Sequence, residues 1–334
     1  MNAFESPEIR ITKNTVPLIY LDTNIMTELA KYENGSYKGA YLNELKELYN
    51  LLNQKMRQNE IICPLGYQME EMGMPAKRKN ARNFLYRFTN AKLQNPLSIE
   101  KEQADIGYHA YHTQSSIIAL DTNSIIEKAP RLLNSTIELH ISTIYSQEKT
   151  RELKKEKAKL ADDLNSLKQT KRKANLDAQI AEELTADLQV FLYNLTHYNN
   201  SIDEYIRNDY ALREIYHRVG IKQNPLHEEK IAAVEQHNRF LVSSYHHNLP
   251  YKWIRSVLWA HLMQRQNIIQ PSDHNDIVWA SAYLPFVDYA VTDIAFCNLL
   301  HESNLATQYG TKVFSFPSLQ ALIDEMKSID KKDS

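Results

Sequence analysis

Four consecutive residues constrain this chain more than any others. Leu18, Ile19, Tyr20 and Leu21 form an unbroken apolar run that stops at Asp22-Thr23-Asn24. A strand buried on both faces has this signature: apolar side chains along its length, and polar groups where it emerges at its C-terminal end. Strands of that kind belong to parallel sheets covered by helices, so the run predicts an α/β fold.

The neighbouring segments fit such a sheet. Tyr41 to Arg57 carries Leu42, Leu45, Leu48, Leu51, Leu52 and Met56 at helical spacing. Residues 61–66, IICPLG, read as a second short strand stopped by Pro64 and Gly66, and residues 67–72, YQMEEM, return to helix. Near the C-terminus, residues 252–266 and 273–284 read as amphipathic helices. Residues 287–293 read as a strand ending in Thr-Asp, 294–301 as helix, 312–316 as strand, and 318–327 as a last helix with Ser318 near its start. Strand–helix alternation of this kind argues for parallel pairing.

The middle of the chain has another texture. Between Tyr108 and Val219 there is no glycine, and Pro130 is the sole proline. Residues 145–173 hold ten Lys/Arg against five Asp/Glu, with Glu148/Arg151, Glu152/Lys155 and Glu156/Lys159 spaced as i,i+3 pairs. Leu153, Leu160, Leu164 and Leu167 make a narrow apolar stripe, and Leu176, Ile180, Leu184, Leu188, Leu192 and Leu195 continue at helical spacing. Lys171-Arg172-Lys173 marks a reversal between two arms, so a helical hairpin, coiled or not, is expected over about 145–200. The expected plan is an α/β domain split into residues 1–94 and 246–334, interrupted by an all-α insertion at 95–245. Only 7 glycines in 334 residues agree with few tight turns and long helices. Residues 118–123, IALDTN, echo residues 19–24, IYLDTN. Their flanks read better as helix; a duplicated strand, with Asp121 in the place of Asp22, is the other reading.

Composition excludes some functions. A formal net charge of -2 does not suit a protein that coats polyanions by bulk charge, so contact with nucleic acid must come from local patches. No run approaches ~18 consecutive apolar residues, and no membrane span is expected. The opening MNAFESPEIR lacks the apolar core of a signal peptide. Cys63 and Cys297 sit in apolar surroundings and read as buried free thiols, which suits a reducing cytoplasm.

Carboxylates stand at the edges of four apolar elements: Asp22 after the first strand, Glu70 and Glu71 after the second, Asp276 in the first turn of a helix, and Asp293 after the strand VDYAVT. In open α/β sheets, ligands bind beyond the C-terminal strand ends. Three or four acids gathered there could hold Mg²⁺ or Mn²⁺, hard cations that take oxygen ligands, and so serve phosphodiester hydrolysis. Each acid alone has a plainer reading. Asp22 and Asp293 suit helix caps, Asp273 or Ser272 could cap the helix that holds Asp276, and Glu70 or Glu71 could be a solvated first-turn acid. No Cys/His cluster has zinc spacing, and neither a phosphate-binding G-x-x-x-x-G-K-[ST] loop nor a G-x-S-x-G elbow is present.

LIYLDTNI, an acid after the second strand, NDIVWASAYL and VDYAVTDIAF together resemble the PIN-domain nucleases. The resemblance covers roughly residues 18–90 and 252–325. It implies a PIN-like parallel sheet flanked by helices, with metal held by Asp22, Glu70 or Glu71, Asp276 and Asp293, and with Asn24 and Thr292 orienting the acids. It implies a metal-dependent endonuclease acting on single-stranded RNA ahead of DNA. Three features depart from that family: the length of the insertion, the one-position ambiguity of the glutamate, and an added Asp288 inside the last strand, either a supporting group or an outward residue. Lys77, Arg78, Lys79, Arg82 and Arg87, interleaved with Phe84, Tyr86 and Phe88, are the expected grip on nucleic acid, basic groups on phosphate and rings on bases. A solvated helix face is the equal alternative. Lys168, Lys171, Arg172 and Lys173 are weaker candidates. Rival readings are an inactive PIN-like scaffold that binds nucleic acid or protein, a structure-specific DNA nuclease, and a module that self-associates or binds a protein through the insertion. A toxin or defence role is an analogy with the family.

Overall fold

The computed structural model describes residues 6–68, 79–127, 147–171, 175–197 and 227–329. In chain order the elements are β1 (Glu8–Thr12), β2 (Ile19–Leu21), α1 (Thr23–Glu33), α2 (Leu42–Arg57), β3 (Pro64–Leu65), α3 (Lys79–Phe88), β4 (Ala91–Lys92), α4 (Pro96–Thr113), β5 (Ile117–Asp121), α5 (Thr122–Ile125), α6 (Gln147–Lys171), α7 (Leu176–His197), α8 (His227–Leu241), α9 (Ser244–His247), α10 (Pro250–Gln264), α11 (Asp273–Tyr283), β6 (Tyr289–Val291), α12 (Ile294–Glu302), α13 (Leu305–Gln308), β7 (Lys312–Phe314) and α14 (Leu319–Ser328). The chain is mixed α/β, with short parallel sheets flanked by helices. Among the described residues no helix is long and apolar enough to cross a membrane.

Two compact units divide the chain. One comprises Met1–Arg10, Leu97–Leu120 and Lys171–Arg265; the other comprises Ile11–Pro96, Asp121–Thr170 and Gln266–Ser334. The division falls elsewhere than the sequence suggests. α10, expected with the α/β domain, belongs to the helical unit, and α6, expected in the insertion, belongs to the α/β unit.

In the α/β unit the apolar run at 18–21 is the strand its pattern predicts. β2 pairs in parallel with β6, Leu21 opposite Val291, and β6 pairs in parallel with β7, Val291 opposite Phe314. On its other side, Leu18 bridges Ile62, and β3 pairs in parallel with β4. Alternation sorts the side chains of β2. Ile19 and Leu21 join a core with Leu45, Leu48 and Leu52 of α2 and Leu319, Leu322, Ile323 and Met326 of α14. Tyr20 stacks on Trp279 of α11 (ring centroids 4.8 Å apart), and Trp279 meets Phe296 of α12 edge-on. Cys63 and Cys297 are free and buried, and burial pushes the Cys63 thiol up to about 12.

Of the echo at 118–123, residues 118–121 are strand and 122–123 open a helical turn. β5 pairs with β1, and the Glu8 N–H donates to the Ser116 carbonyl (2.9 Å). Its burial alternates along Ile118, Ala119 and Leu120, the mark of a half-covered strand, and the helical reading of its flanks missed this period. Asp121 caps the single turn α5, accepting from Asn123 N–H (2.7 Å), and stays exposed.

α6 also departs from its leucine stripe. Leu160 and Leu167 are each 41% exposed, while Ala161 and Lys168 are buried. The helix is held by polar bonds. Asn165 donates to the Ile269 carbonyl (3.0 Å) and accepts its N–H (2.8 Å), and Lys168 donates to the Asn267 carbonyl (2.6 Å).

The helical unit packs α7 along α10 around buried charge. Lys252 of α10 pairs with Asp187 of α7 (2.7 Å) and donates to the Glu183 carbonyl (3.0 Å), and the buried His246 lies 3.7 Å from Asp187. Burial pushes the His246 pKa down to about 4; Asp187 opposes this, while Lys252, His247 and His237 add to it. An unfolded histidine titrates near 6.5. As pH falls, the unfolded chain takes up this proton first, so stability is lost between about pH 6.5 and 4. His246→Gln should flatten the loss across that window, read by urea unfolding at a series of pH values. An unchanged slope would place the acid sensitivity elsewhere.

Candidate metal centre

The register of β2 and β6 fixes two of the three acids. With Leu21 opposite Val291, Asp22 emerges opposite Thr292, about 4.8 Å away as neighbouring strands are, and Asp293 follows one residue later. The Asp22 N–H donates to the Val291 carbonyl (2.9 Å), extending the ladder by one residue. Asp22 then N-caps α1, its Oδ1 accepting Thr23 N–H (2.6 Å). Asp293 N-caps α12, its Oδ1 accepting Phe296 N–H (2.9 Å). Helix caps and metal ligands were weighed as rivals at these positions; the geometry lets one side chain do both, because a carboxylate has two oxygens. Oδ2 of Asp22 faces the Thr292 hydroxyl and the Asn24 amide, both at 3.4 Å.

The third acid comes from α11. Ser272 is its N-cap residue, and Asp273 accepts Gln270 N–H (2.8 Å). Asp276 follows in the first turn, 6% exposed, where the helix dipole favours negative charge. One carboxylate oxygen from each of Asp22, Asp276 and Asp293 lies within 4.8 Å of the others. Among the described residues this is the one such group of three or more His, Cys, Asp or Glu side chains.

The donor set fits a hard cation. All three ligands are oxygen, and Asp22 is only 1% exposed. Three carboxylates this close repel one another strongly where water is excluded, and a divalent ion among them relieves that repulsion. Mg²⁺ binds through few carboxylates and keeps several waters, so three donors suffice.

Glu70, Glu71, Lys77 and Arg78 lie outside the described residues. The chain ahead of Glu70 reaches the site nonetheless. Gln68 is fully buried and donates to the Leu21 carbonyl (2.7 Å), one residue before Asp22. Lys79 and Arg82 fall in α3. Arg87 pairs with Glu33 (2.6 Å). Phe84 and Phe88 are buried and stack on each other (4.7 Å) within the core, so neither is available to a base. Lys168 is spent on Asn267. Asp288 stands at the other end of β6 from Asp293, where it accepts Leu18 N–H (2.8 Å); burial raises its pKa against that bond and Lys13. It is neither a supporting group for the acids nor a simple outward residue.

Two features of the site escaped sequence reading. Lys157 of α6 donates to Asn275 Oδ1 (2.9 Å), the residue before Asp276, and Tyr67 approaches the same oxygen (3.4 Å). No periodic signal marks Lys157, one of many charged residues along α6. The second is a groove of about 790 Å³ opening at Asn24 and Asp293, lined by Tyr37, Tyr41 and Phe316. No protein-family model, curated protein or solved structure matches the chain.

Mn²⁺ should stabilise the native protein, by about 2.7 kcal/mol at a concentration 100 times its Kd. Thermal unfolding with and without Mn²⁺ checks this, and Asp276→Asn should remove most of the shift because it takes away one of the three carboxylates.

Proposed function

We propose that the chain is a divalent-metal-dependent endonuclease of PIN-like fold, hydrolysing phosphodiester bonds in single-stranded RNA. One observation carries the reading: Asp22, Asp276 and Asp293, far apart in sequence, bring carboxylates within 4.8 Å at the C-terminal edge of parallel strands. The position of Gln68 supports Glu70 or Glu71 as a fourth acid. Two buried free thiols suit a reducing cytoplasm.

When bound, Mg²⁺ or Mn²⁺ supplies a Lewis acid for the phosphate and a water of lowered pKa. The chain's own residues hold and orient. Asp22 is fixed by the Thr23 N–H, and its other oxygen faces Thr292 and Asn24, so its carboxylate is aimed before any ligand arrives. Asp293 is fixed by the Phe296 N–H. The N-terminal turn of α11 offers partial positive charge to a phosphate. Lys157 brings an ammonium group to the same turn, where it can pair with a non-bridging phosphate oxygen as charge develops in an in-line displacement.

Cleavage of a labelled single-stranded RNA should require Mn²⁺ or Mg²⁺, stop with chelator, and be lost in Asp22→Asn and Asp276→Asn while both variants stay folded by circular dichroism. Activity that persists in both variants would refute the reading. Binding without cleavage in the wild type would favour a catalytically inactive scaffold, and equal cleavage of a matched DNA strand would remove the RNA preference.

A further inference from the structure

We infer that the loop between α1 and α2 is a base-stacking platform, which takes an unpaired nucleobase of the strand held at the three aspartates. The inference rests on the nuclease reading and extends it to a defined binding surface. The groove at Asp293 runs along this loop, and its volume of about 790 Å³ lies within the range, about 300–1,000 Å³, of pockets that take organic ligands of nucleotide size. Asn24 and Asp293 are among its lining residues, so the groove includes one of the three acids.

The loop is built to present rings. Asn34 caps α1, Gly35 turns the chain with φ +72°, and Ser36 donates its N–H to Asn34 Oδ1 (3.1 Å). Tyr37 follows, and its ring lies over Gly39: a Cβ on Gly39 would overlap the Tyr37 hydroxyl and ring. The Tyr37 hydroxyl accepts Tyr41 N–H (3.3 Å), which ties the ring to the start of α2. Tyr41 in turn packs against Phe316 (centroids 5.7 Å, planes 31° apart). A chain with only 7 glycines thus spends two of them on five residues around one tyrosine.

Tyr37, Tyr41 and Phe316 are partly rather than fully buried, unlike Phe84 and Phe88; Tyr37 and Phe316 pack against the core, and all three line the groove. Lys38 sits between the tyrosine and the glycine on the same groove, a cation for the backbone that a stacked base carries. Aromatic faces beside a cation suit single strands, whose bases are free to stack, and not a duplex, whose bases are already stacked.

Binding of a fluorescent single-stranded oligouridylate to the full chain, measured by anisotropy in chelator so that no cleavage occurs, tests the platform. One stacked base contributes about 1–3 kcal/mol, so Tyr37→Ala should weaken binding by about tenfold or more. Tyr37→Phe should retain most of the affinity. Gly39→Ala, which displaces the ring without removing it, should weaken binding like Tyr37→Ala. The Mn²⁺-induced thermal shift should survive in all three variants and shows that the aspartates remain assembled. Unchanged affinity in both Tyr37→Ala and Gly39→Ala overturns the platform, and so does binding of a blunt duplex as tight as that of the single strand. If cleavage still depends on Asp22 in that case, the nuclease reading stands without the platform. If wild-type cleavage does not depend on Asp22, the nuclease reading fails and this inference falls with it.

Discussion

The parallel pairing of β2 with β6 is the constraint on which the candidate centre depends. A register of Leu21 against Val291 sends Asp22 out of the sheet opposite Thr292, with Asp293 one residue beyond. A slip of one residue would invert Ile19, Tyr20 and Leu21 between the two faces, moving Tyr20 from Trp279 into the leucine core. The register is therefore held by packing on both faces. The acids inherit their positions from apolar contacts that are themselves indifferent to metal.

The sequence made the α/β half legible because its strands are buried and its helices amphipathic. LIYL, VDYAV and KVFSF gave their strands, and Leu45, Leu48 and Leu52 gave the face of α2, since burial leaves a period that reading can recover. The three aspartates were legible for a related reason: strand ends and a helix start are marked by abrupt changes of polarity. Reading failed where attachment is polar or rests on a ring's local setting. α6 looks like a solvated or coiled helix because its leucines run in a stripe, yet Lys157, Asn165 and Lys168 hold it. Lysine and asparagine carry no periodic signal that separates anchoring from solvation. β5 was lost because a half-covered strand of five residues is too short to outweigh helical flanks.

The attachment of α6 bears on what the long interruption of the α/β domain does. Its bonds go to Asn267 and Ile269, in the segment that leads into α11, and to Asn275 in the first turn of α11. These contacts fix the path by which Asp276 enters the centre. α6 is therefore better regarded as part of the framework of that centre than as an appendage, while Lys171–Arg265 falls in the other unit. By contrast, the Lys252–Asp187 pair and its histidine neighbour belong to the helical unit.

The double duty of Asp22 and Asp293 has a consequence for how such a chain can change over generations. Asparagine caps a helix as well as aspartate does. An aspartate codon becomes an asparagine codon by a single base transition, so one nucleotide separates a charged ligand from a neutral one with the helix start preserved. Mutation could silence the chemistry at either position while leaving the protein folded, expressed and able to grip whatever it gripped before. On the nuclease reading proposed above, an active cleaver and a silent antagonist of the same target would be one such step apart.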